Sequence, residues 1–189
     1  MGIHPIARVE VEVDAIAAAS AAETAGAHRI FLHAGRRDGG ITPSAGLIAG
    51  ARQAVGIDLV VLVRPRGGDF LYADEELAAM RRDILVARVA GADGVAFGAL
   101  RRDGSIDEEA VRALLEAAGP LHVTFSRAFD MTRDPVQALE TLVGLGVPRV
   151  LTSGQVGTVL AGLERIEALV HRAAGRIAVV PAGHLDRST

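Results

Sequence analysis

Short runs of Val, Ile and Leu recur along the chain, and each is followed by an Ala- and Leu-rich segment with apolar residues at helical spacing. Short strands that alternate with such helices are typical of βαβ units and a parallel sheet. The pattern predicts seven strands, at residues 8–13, 29–33, 58–64, 94–99, 121–127, 149–153 and 176–181. It predicts six intervening helices, at residues 15–26, 44–55, 73–90, 107–118, 134–145 and 157–174.

Capping residues support two of these helices. Asp107 precedes the fourth helix and Gly119 follows it, while Asp134 and Pro135 open the fifth. Asp at the N-cap, Pro at the first helical position and Gly after the last turn are signals that start and end helices. Because no linker interrupts this regular spacing, we predict a single domain over residues 1–189.

Seven βα repeats fit either a doubly wound sheet or a TIM-type barrel, and periodicity alone does not decide between the two α/β architectures. Polar and Gly-rich segments follow the strands: GRRDGG after the second, RPRGGDF after the third, SRAFD after the fifth and TSGQ after the sixth. Both architectures bind ligands at these positions. No GxGxxG motif follows the first strand, so we expect no nucleotide cofactor.

Composition limits the classes of partner. The chain is 50% hydrophobic and carries a formal net charge of −3, so we expect a small anionic molecule or a metal ion rather than nucleic acid or a membrane. The absence of cysteine excludes disulfides, a thiolate nucleophile and Cys-ligated zinc or copper. No stretch reaches the roughly 18 apolar residues of a spanning helix, and the start lacks a signal core. We therefore expect a cytoplasmic protein.

Five motifs in order resemble those of the CutC copper-homeostasis family, over nearly the whole chain. They are RRDGGITPS (36–44), RPRGGDFLYAD (64–74), FGALRRDGSID (97–107), VTFSRAFD (123–130) and VLTSGQ (150–155). The resemblance implies a TIM-type (β/α) barrel, a cytoplasmic location, a homo-oligomer, and copper homeostasis or copper binding as the role. No reaction comes with it.

The sequence also departs from the family's pattern. After RIAVVPAG the family continues through a further helix, an eighth strand and a last helix, so we expect an incomplete barrel with about seven of eight strands. Either the product is shortened, or an oligomer covers the exposed strand edges. The family's second strand usually has Glu and Cys where Phe31 and His33 stand, and its fifth strand usually has His where Ser126 stands. His184 interrupts the glycine cluster after the seventh strand.

Two carboxylates share one face of the first strand. Side chains alternate along a strand, so Glu10 and Glu12 point together into the lumen if the valines between them face the helices. We predict a catalytic set of Glu10, Arg127 and Asp130, with Glu10 as proton donor or acceptor. The alternative is a structural network in which both carboxylates pair with arginines such as Arg64 and Arg127.

His33 and Glu12 form the predicted metal site, at positions where family members commonly have cysteine. An imidazole and a carboxylate favour Zn(II), Mn(II) or Fe(II) over Cu(I), which prefers sulfur ligands. Copper is thus implied by the family resemblance only, and another divalent metal fits the residue types. The alternative is a hydrogen-bonded structural histidine.

The string RPRGGDF predicts an anion clamp. Arg64 and Arg66 stand at a strand end, and Asp69 can orient an arginine; guanidinium groups hold carboxylate or phosphate in a bidentate manner. The alternative is a loop-stabilising Arg–Asp salt bridge. Hydroxyl and amide donors after the sixth strand are predicted to add to the pocket, unless they are ordinary turn residues: Thr152, Ser153 and Gly154.

Three functions are compatible with these patterns. The resemblance favours a metal-handling protein of copper homeostasis. The arginines favour a TIM-barrel enzyme acting on a small phosphorylated or carboxylated metabolite. The expected gap in the barrel favours a degenerate, non-catalytic assembly partner. Fold alone does not choose among them.

Overall fold

Seven parallel strands form one sheet in which each strand pairs with the next along the chain, in a computed structural model that describes residues 8–183. The strands are β1 Glu10–Val13, β2 Arg29–Leu32, β3 Asp58–Leu62, β4 Gly94–Phe97, β5 His122–Phe125, β6 Arg149–Thr152 and β7 Ala178–Pro181. The helices are α1 Ile16–Thr24, α2 Ala45–Ala54, α3 Asp74–Val89, α4 Glu108–Ala118, α5 Pro135–Gly144 and α6 Leu163–Ala173. Pairing in chain order is the winding of a barrel, since a doubly wound sheet reverses its order at a switch point. The predicted TIM-type fold is confirmed.

The sheet has an apolar layer on each face. The outer face packs against the helices in the larger core, to which both strands and helices contribute, among them Ile30, Leu59, Phe97, Phe125, Met80, Ile84, Leu114 and Leu139. The inner face carries a smaller buried cluster of Phe31, Val60, Leu62, Ala96 and Leu151, with Val180 and Ala182 packed against it. Because strands β2 and β6 are not neighbours in the sheet, their contributions meet only if the sheet curls around its inner face. That inner space is the lumen of the barrel.

The curl is open within residues 8–183. No strand pairing joins β7 to β1 there, so these two are the edge strands of the described sheet. One contact still crosses the opening at the N-terminal ends of the strands, where Arg149 in β6 reaches Glu10 in β1. Among the helices of this range, none combines the length and apolarity that a bilayer crossing requires.

Caps and loops explain where the elements begin. Asp134 Oδ1 accepts hydrogen bonds from the amides of Val136 and Gln137, with Pro135 at the first helical position, as predicted for α5. The sixth helix begins later than predicted, at Leu163 after a short 3-10 turn. The chain bends at residues 153–158 instead of forming helix there, and the amides of Ser153 and Gln155 tie this loop to Asp130.

Candidate functional site

A charged cluster lies on the inner face at the N-terminal ends of the strands. Glu10 Oε2 lies 3.3 Å from both Nη atoms of Arg149 and 3.5 Å from Arg29 Nη1. Arg29 Nη2 donates to Asp58 Oδ2 at 2.9 Å, and Arg149 Nη1 lies 3.4 Å from Thr124 Oγ1. Burial lowers the pKa of Arg149, and the charge of Glu10 beside it opposes that effect. Arginine stays protonated nevertheless, so this cluster is an ion-pair network.

This network separates Glu10 from the rest of the predicted catalytic set. Arg149, which contacts Glu10, is the first residue of β6. Ser153, which contacts Arg127, follows the other end of the same strand. Glu10 therefore lies at the opposite end of the barrel from Arg127 and Asp130. Its first-residue position in β1, paired with the first residue of β2, fixes that depth. Glu10 does pair with arginines, but with Arg29 and Arg149 and not with those at the rim.

Arg127 and Asp130 lie together at the C-terminal rim, in the 3-10 helix Arg127–Met131 after β5. Arg127 Nε donates to Asp130 Oδ2 at 2.9 Å, and Arg127 Nη2 donates to Ser153 Oγ at 2.9 Å. The first contact lies within one turn, and the second joins the end of β5 to the end of β6. The structure thus brings two members of the predicted set into one rim site.

Asp130 also anchors the loop that follows β6. Its Oδ1 accepts hydrogen bonds from the hydroxyl of Thr152 and from the amides of Ser153 and Gln155, and its Oδ2 lies 3.0 Å from Ser153 Oγ. The amide of Gly154 donates to Thr152 Oγ1 at 2.9 Å. Thr152 and Ser153 are fully buried. These hydroxyl and amide donors are therefore directed at Asp130 and at one another, not at an open pocket.

Arg64 ties two rim loops together. Its Nη1 donates to the carbonyls of Asp38 and Gly40, each at 2.9 Å, and its Nη2 donates to the carbonyl of Gly68 at 2.6 Å. The guanidinium lies over the ring of Phe70 at 4.6 Å, and the residue is only 7% exposed. Both Nη groups of Arg64 thus donate to backbone carbonyls. Arg64 is therefore not free to bind an anion as the predicted clamp required.

Arg66 is occupied in the same way by its own loop. Nε donates to Glu76 Oε1 at 2.6 Å, Nη1 to Asp69 Oδ1 at 2.9 Å and Nη2 to the carbonyl of Leu71 at 2.6 Å. Hydrogen bonds from Arg66 and from the Leu71 amide hold the pKa of Asp69 below its ordinary value. The geometry of Arg66 and Asp69 is that of a loop-stabilising salt bridge.

Glu12 and His33 are diagonal neighbours on the inner face. Glu12 is paired with Phe31, two residues before His33, and strand alternation puts both side chains on the same side. His33 Nδ1 lies 3.1 Å from the carbonyl of Ala34, a contact that requires a proton on Nδ1 and leaves the lone pair on Nε2. Metal-binding histidines use this arrangement.

The donor set around Glu12 and His33 is small. Over residues 8–183 no group of three or more His, Asp or Glu side chains could hold a metal ion. His33 is 6% exposed, whereas Glu12 is exposed and makes no side-chain hydrogen bond within that range. Two protein donors fall short of the three or four that a zinc site uses.

Glycines shape the rim in a way that the sequence analysis missed. A Cβ built on Gly162 would stand 1.9 Å from the carbonyl oxygen of Ser153. The backbone at the start of α6 therefore packs directly against the backbone of the loop after β6. A Cβ on Gly183 would stand 2.9 Å from Cζ of Arg127. The signal for Gly183 was its place just after a strand, but nothing in the sequence pointed to its contact with Arg127.

Known proteins resemble this chain over most of its length. The CutC family model matches residues 7–186. A human copper homeostasis protein cutC homolog is 51% identical over 95% of this chain and 66% of its own length, and the mouse homolog is 51% identical over 93% and 64%. The chain thus spans about two thirds of these relatives. A CutC family protein of Mesorhizobium japonicum is 48% identical over 94% of this chain and 69% of its own.

Solved structures share the architecture. The CutC protein of Streptococcus agalactiae superposes with a TM-score of 0.91 at 33% identity, over 96% of this chain and 90% of that one. An aldolase, QR15, superposes with a TM-score of 0.69 at 13% identity, over 95% and 80% of the two chains. The second likeness concerns the barrel fold alone.

Proposed function

The chain belongs to the CutC family, and on that premise we propose that it takes part in copper homeostasis, the role stated in the names of its human and mouse relatives. The observation that carries the proposal is the 51% identity over 95% of this chain. Because those relatives are longer, the proposal concerns the role of the region that they share with it.

Copper would be the cargo, and the side chains do not fit a tight Cu(I) site. Cu(I) prefers thiolate and thioether ligands, and the chain has no cysteine. Of the methionines in the described range, Met80 is fully buried and Met131 is 65% exposed, in different parts of the barrel wall. A strong thiolate-like affinity for Cu(I) is therefore not part of the proposal.

We propose Glu12 and His33 as the metal contact. His33 offers Nε2 while Nδ1 faces the Ala34 carbonyl, and Glu12 supplies a carboxylate from the neighbouring strand. This donor pair favours Zn(II), Mn(II) or Fe(II), with solvent or a ligand completing the coordination. Affinity is expected to be modest because the protein contributes two donors.

Metal titration tests this contact. Purified protein is titrated with Zn(II), and with Cu(I) against a competing chelator, alongside His33→Ala and Glu12→Gln. His171→Ala is the control, since it removes a histidine on the exposed surface of α6, far from β1 and β2, whose Nε2 lies 3.8 Å from Glu167. We expect weaker Zn(II) binding in the first two variants only. Identical Zn(II) binding isotherms for His33→Ala and the unmodified protein would rule out His33 as a metal ligand.

A cellular assay tests the role itself. Cells that lack their own CutC protein and are sensitive to copper are expected to regain copper tolerance when they express this chain. Expression of soluble, folded protein without any change in tolerance would argue against the role. A cytoplasmic location stays a prediction and is checked by fractionation of the same cells.

A second function rests on Arg127. A TIM-barrel enzyme binds its substrate at the C-terminal rim, where the pair Arg127 and Asp130 lies. Glu10 is not available there as an acid or base, and no reaction follows from the remaining pair. Homo-oligomer formation and a non-catalytic assembly role also stay predictions, which size-exclusion chromatography with light scattering would measure.

A further inference from the structure

Arg127 uses only one edge of its guanidinium group within the protein. A guanidinium carries five N–H donors, and Nε and Nη2 share one edge. Asp130 Oδ2 and Ser153 Oγ occupy that edge and lie 3.0 Å from each other. Nη1 donates to none of residues 8–183. The outer edge, formed by Nη1 and the second hydrogen of Nη2, is therefore unused in this part of the chain.

Gly183 lies against the flat face of the guanidinium, so within residues 8–183 this outer edge stays open. A Cβ built on Gly183 would stand 2.9 Å from Cζ, 3.0 Å from Nη1 and 3.2 Å from Nη2 of Arg127. Nearly equal distances to the three atoms place the glycine over the flat face. The side chain of Arg127 is 37% exposed, so part of it reaches solvent within the described range.

Asp130 neutralises Arg127 only in part. Its carboxylate, 9% exposed, also accepts hydrogen bonds from the hydroxyl of Thr152 and the amides of Ser153 and Gln155. These contacts spread the negative charge over several donors. They also fix Asp130, and through it the guanidinium, before any ligand binds. Preorganised donors of this kind bind with less loss of side-chain entropy.

The rim favours a carboxylate over a phosphate. Three consecutive amides after β6 point inward, to Asp130 and Thr152, so they are not available to the oxygens of a phosphate. Both Arg64 and Arg66 are also occupied by their loops. A single guanidinium edge with two parallel N–H groups matches the two oxygens of a carboxylate.

We propose that the open edge of Arg127 binds the carboxylate of a small metabolite at the C-terminal rim of the barrel. Asp130 and Ser153 are positioning residues, since they hold the guanidinium without touching the ligand. The packed inner cluster, which includes Leu62 and Leu151, lies inside the barrel, so we expect the ligand to stay at the rim. This site is independent of the metal contact at Glu12 and His33 and goes beyond a role in copper homeostasis.

Nuclear magnetic resonance titration tests the site. Amide spectra of the protein are recorded with pyruvate, succinate, inorganic phosphate and neutral acetamide at constant ionic strength. We expect the two carboxylates to shift the Gly183 and Ser153 resonances saturably, with an affinity about tenfold higher than that of phosphate, and acetamide to leave them unchanged. Phosphate binding as tightly as the carboxylates would overturn the proposal.

Variants assign the effect to Arg127. Arg127→Met is expected to weaken pyruvate binding at least tenfold, about 1.4 kcal/mol. Arg127→Lys keeps the charge without the paired donors, so its affinity for pyruvate is expected to lie between those of the unmodified protein and the Met variant. Arg112→Met, which removes another exposed arginine paired with a carboxylate on its own helix, is the control and should bind normally. Thermal unfolding verifies that each variant folds.

The outcomes separate this site from the copper role. Pyruvate binding that persists unchanged in Arg127→Lys would overturn the carboxylate site, even when the Met variant fails to fold. Zn(II) titrations of the same variants should match the unmodified protein. If the unmodified protein binds pyruvate but does not bind Zn(II), that result counts against the metal contact at Glu12 and His33 and leaves the carboxylate site standing.

Discussion

Arg149 in β6 reaches across the lumen to Glu10 in β1, and both of its Nη atoms lie 3.3 Å from Glu10 Oε2. The contact joins residues 139 positions apart in the chain, at the point where the described sheet is open. Both side chains are less than one fifth exposed. The ion pair therefore helps to hold the curl that apolar packing produces further along the strands.

We expect Arg149→Met to reduce the free energy of unfolding by about 3 kcal/mol, because it leaves a mostly buried carboxylate with a weaker partner. Glu10→Gln should cost a similar amount, and the double variant less than the sum, since the two changes remove one interaction. Urea unfolding measures all three. Arg112→Met, which breaks an exposed pair with Glu108, is the control and should cost less than about 1 kcal/mol. Additive effects would contradict direct coupling.

Gly162→Ala should destabilise the rim. The new Cβ would stand 1.9 Å from the Ser153 carbonyl oxygen, and neither backbone segment can yield without moving the loop that contacts Asp130. Overpacking of this kind costs about 1–3 kcal/mol. Thermal unfolding is the measurement.

Gly144→Ala is the matched control for that substitution. Nothing lies within 4 Å of a Cβ at this position in the last turn of α5. Replacing a helical glycine by alanine should raise stability by about 0.5 kcal/mol. If Gly162→Ala and Gly144→Ala change the stability equally, the close backbone contact of Gly162 does not affect the free energy of unfolding.

Glu140 should give the protein an acid-sensitive ion-pair network. Hydrogen bonds from Arg176 and then Arg172 lower the pKa of Glu140 from 4.5 to about 2. A lowered pKa means that the stabilisation is fully present above pH 4.5 and is lost as the pH falls towards 2. The stability difference between the unmodified protein and Glu140→Gln, measured by urea unfolding, should therefore shrink over that range.

Glu116→Gln provides the comparison for Glu140. Glu116 is exposed on α4 and makes no ion pair within residues 8–183. Its removal should change stability little at any pH. A constant difference between Glu140→Gln and the unmodified protein from neutral to acid pH would contradict the role of the two arginines.

Tyr72 is the single tyrosine of a chain without tryptophan, so ultraviolet absorbance reports its ionisation directly. Burial raises its pKa from 10.0 to about 12, against the opposing charges of Arg64 and Arg66. A raised pKa means that the stabilisation from the neutral side chain is complete below pH 10 and is lost as the pH rises towards 12. The folded protein should titrate near 12, and the denatured chain near 10. Titration near 10 in folded protein would contradict the burial of this ring.

The sequence predicted the elements well because local patterns determine them. All seven strands and six helices are present, and the caps of α4 and α5 are those that the sequence indicated. The strands are shorter than predicted; the first spans Glu10–Val13 within a predicted 8–13. A parallel strand continues only while its neighbours pair with it. The length of a strand therefore depends on other segments of the chain and cannot be predicted from its own residues alone.

The sequence indicated that Arg127 and Asp130 lie near the loop after β6, but it did not indicate the directions of the hydrogen bonds at the rim. Arg127 and Asp130 do lie beside the loop after β6, as the strand order requires. Arg64 also stands at a strand end, yet its donors go to carbonyls of Asp38 and Gly40, more than 20 residues away in the chain. No local pattern shows which carbonyls a folded loop will offer to a guanidinium.

By itself, the sequence determined the alternation of strands and helices, the face on which Glu10 and Glu12 lie, and membership of the family. Those features depend on side-chain periodicity and on motifs that are local in the chain. Only the tertiary structure decided that Glu10 lies at the opposite end of the barrel from Arg127. It also decided that Nη1 of Arg127 donates to none of residues 8–183, whereas both Nη groups of Arg64 donate to backbone carbonyls. Depth in a barrel and the direction of a hydrogen bond depend on strand register and on loops brought together from distant repeats, and these are set only when the sheet curls around its core.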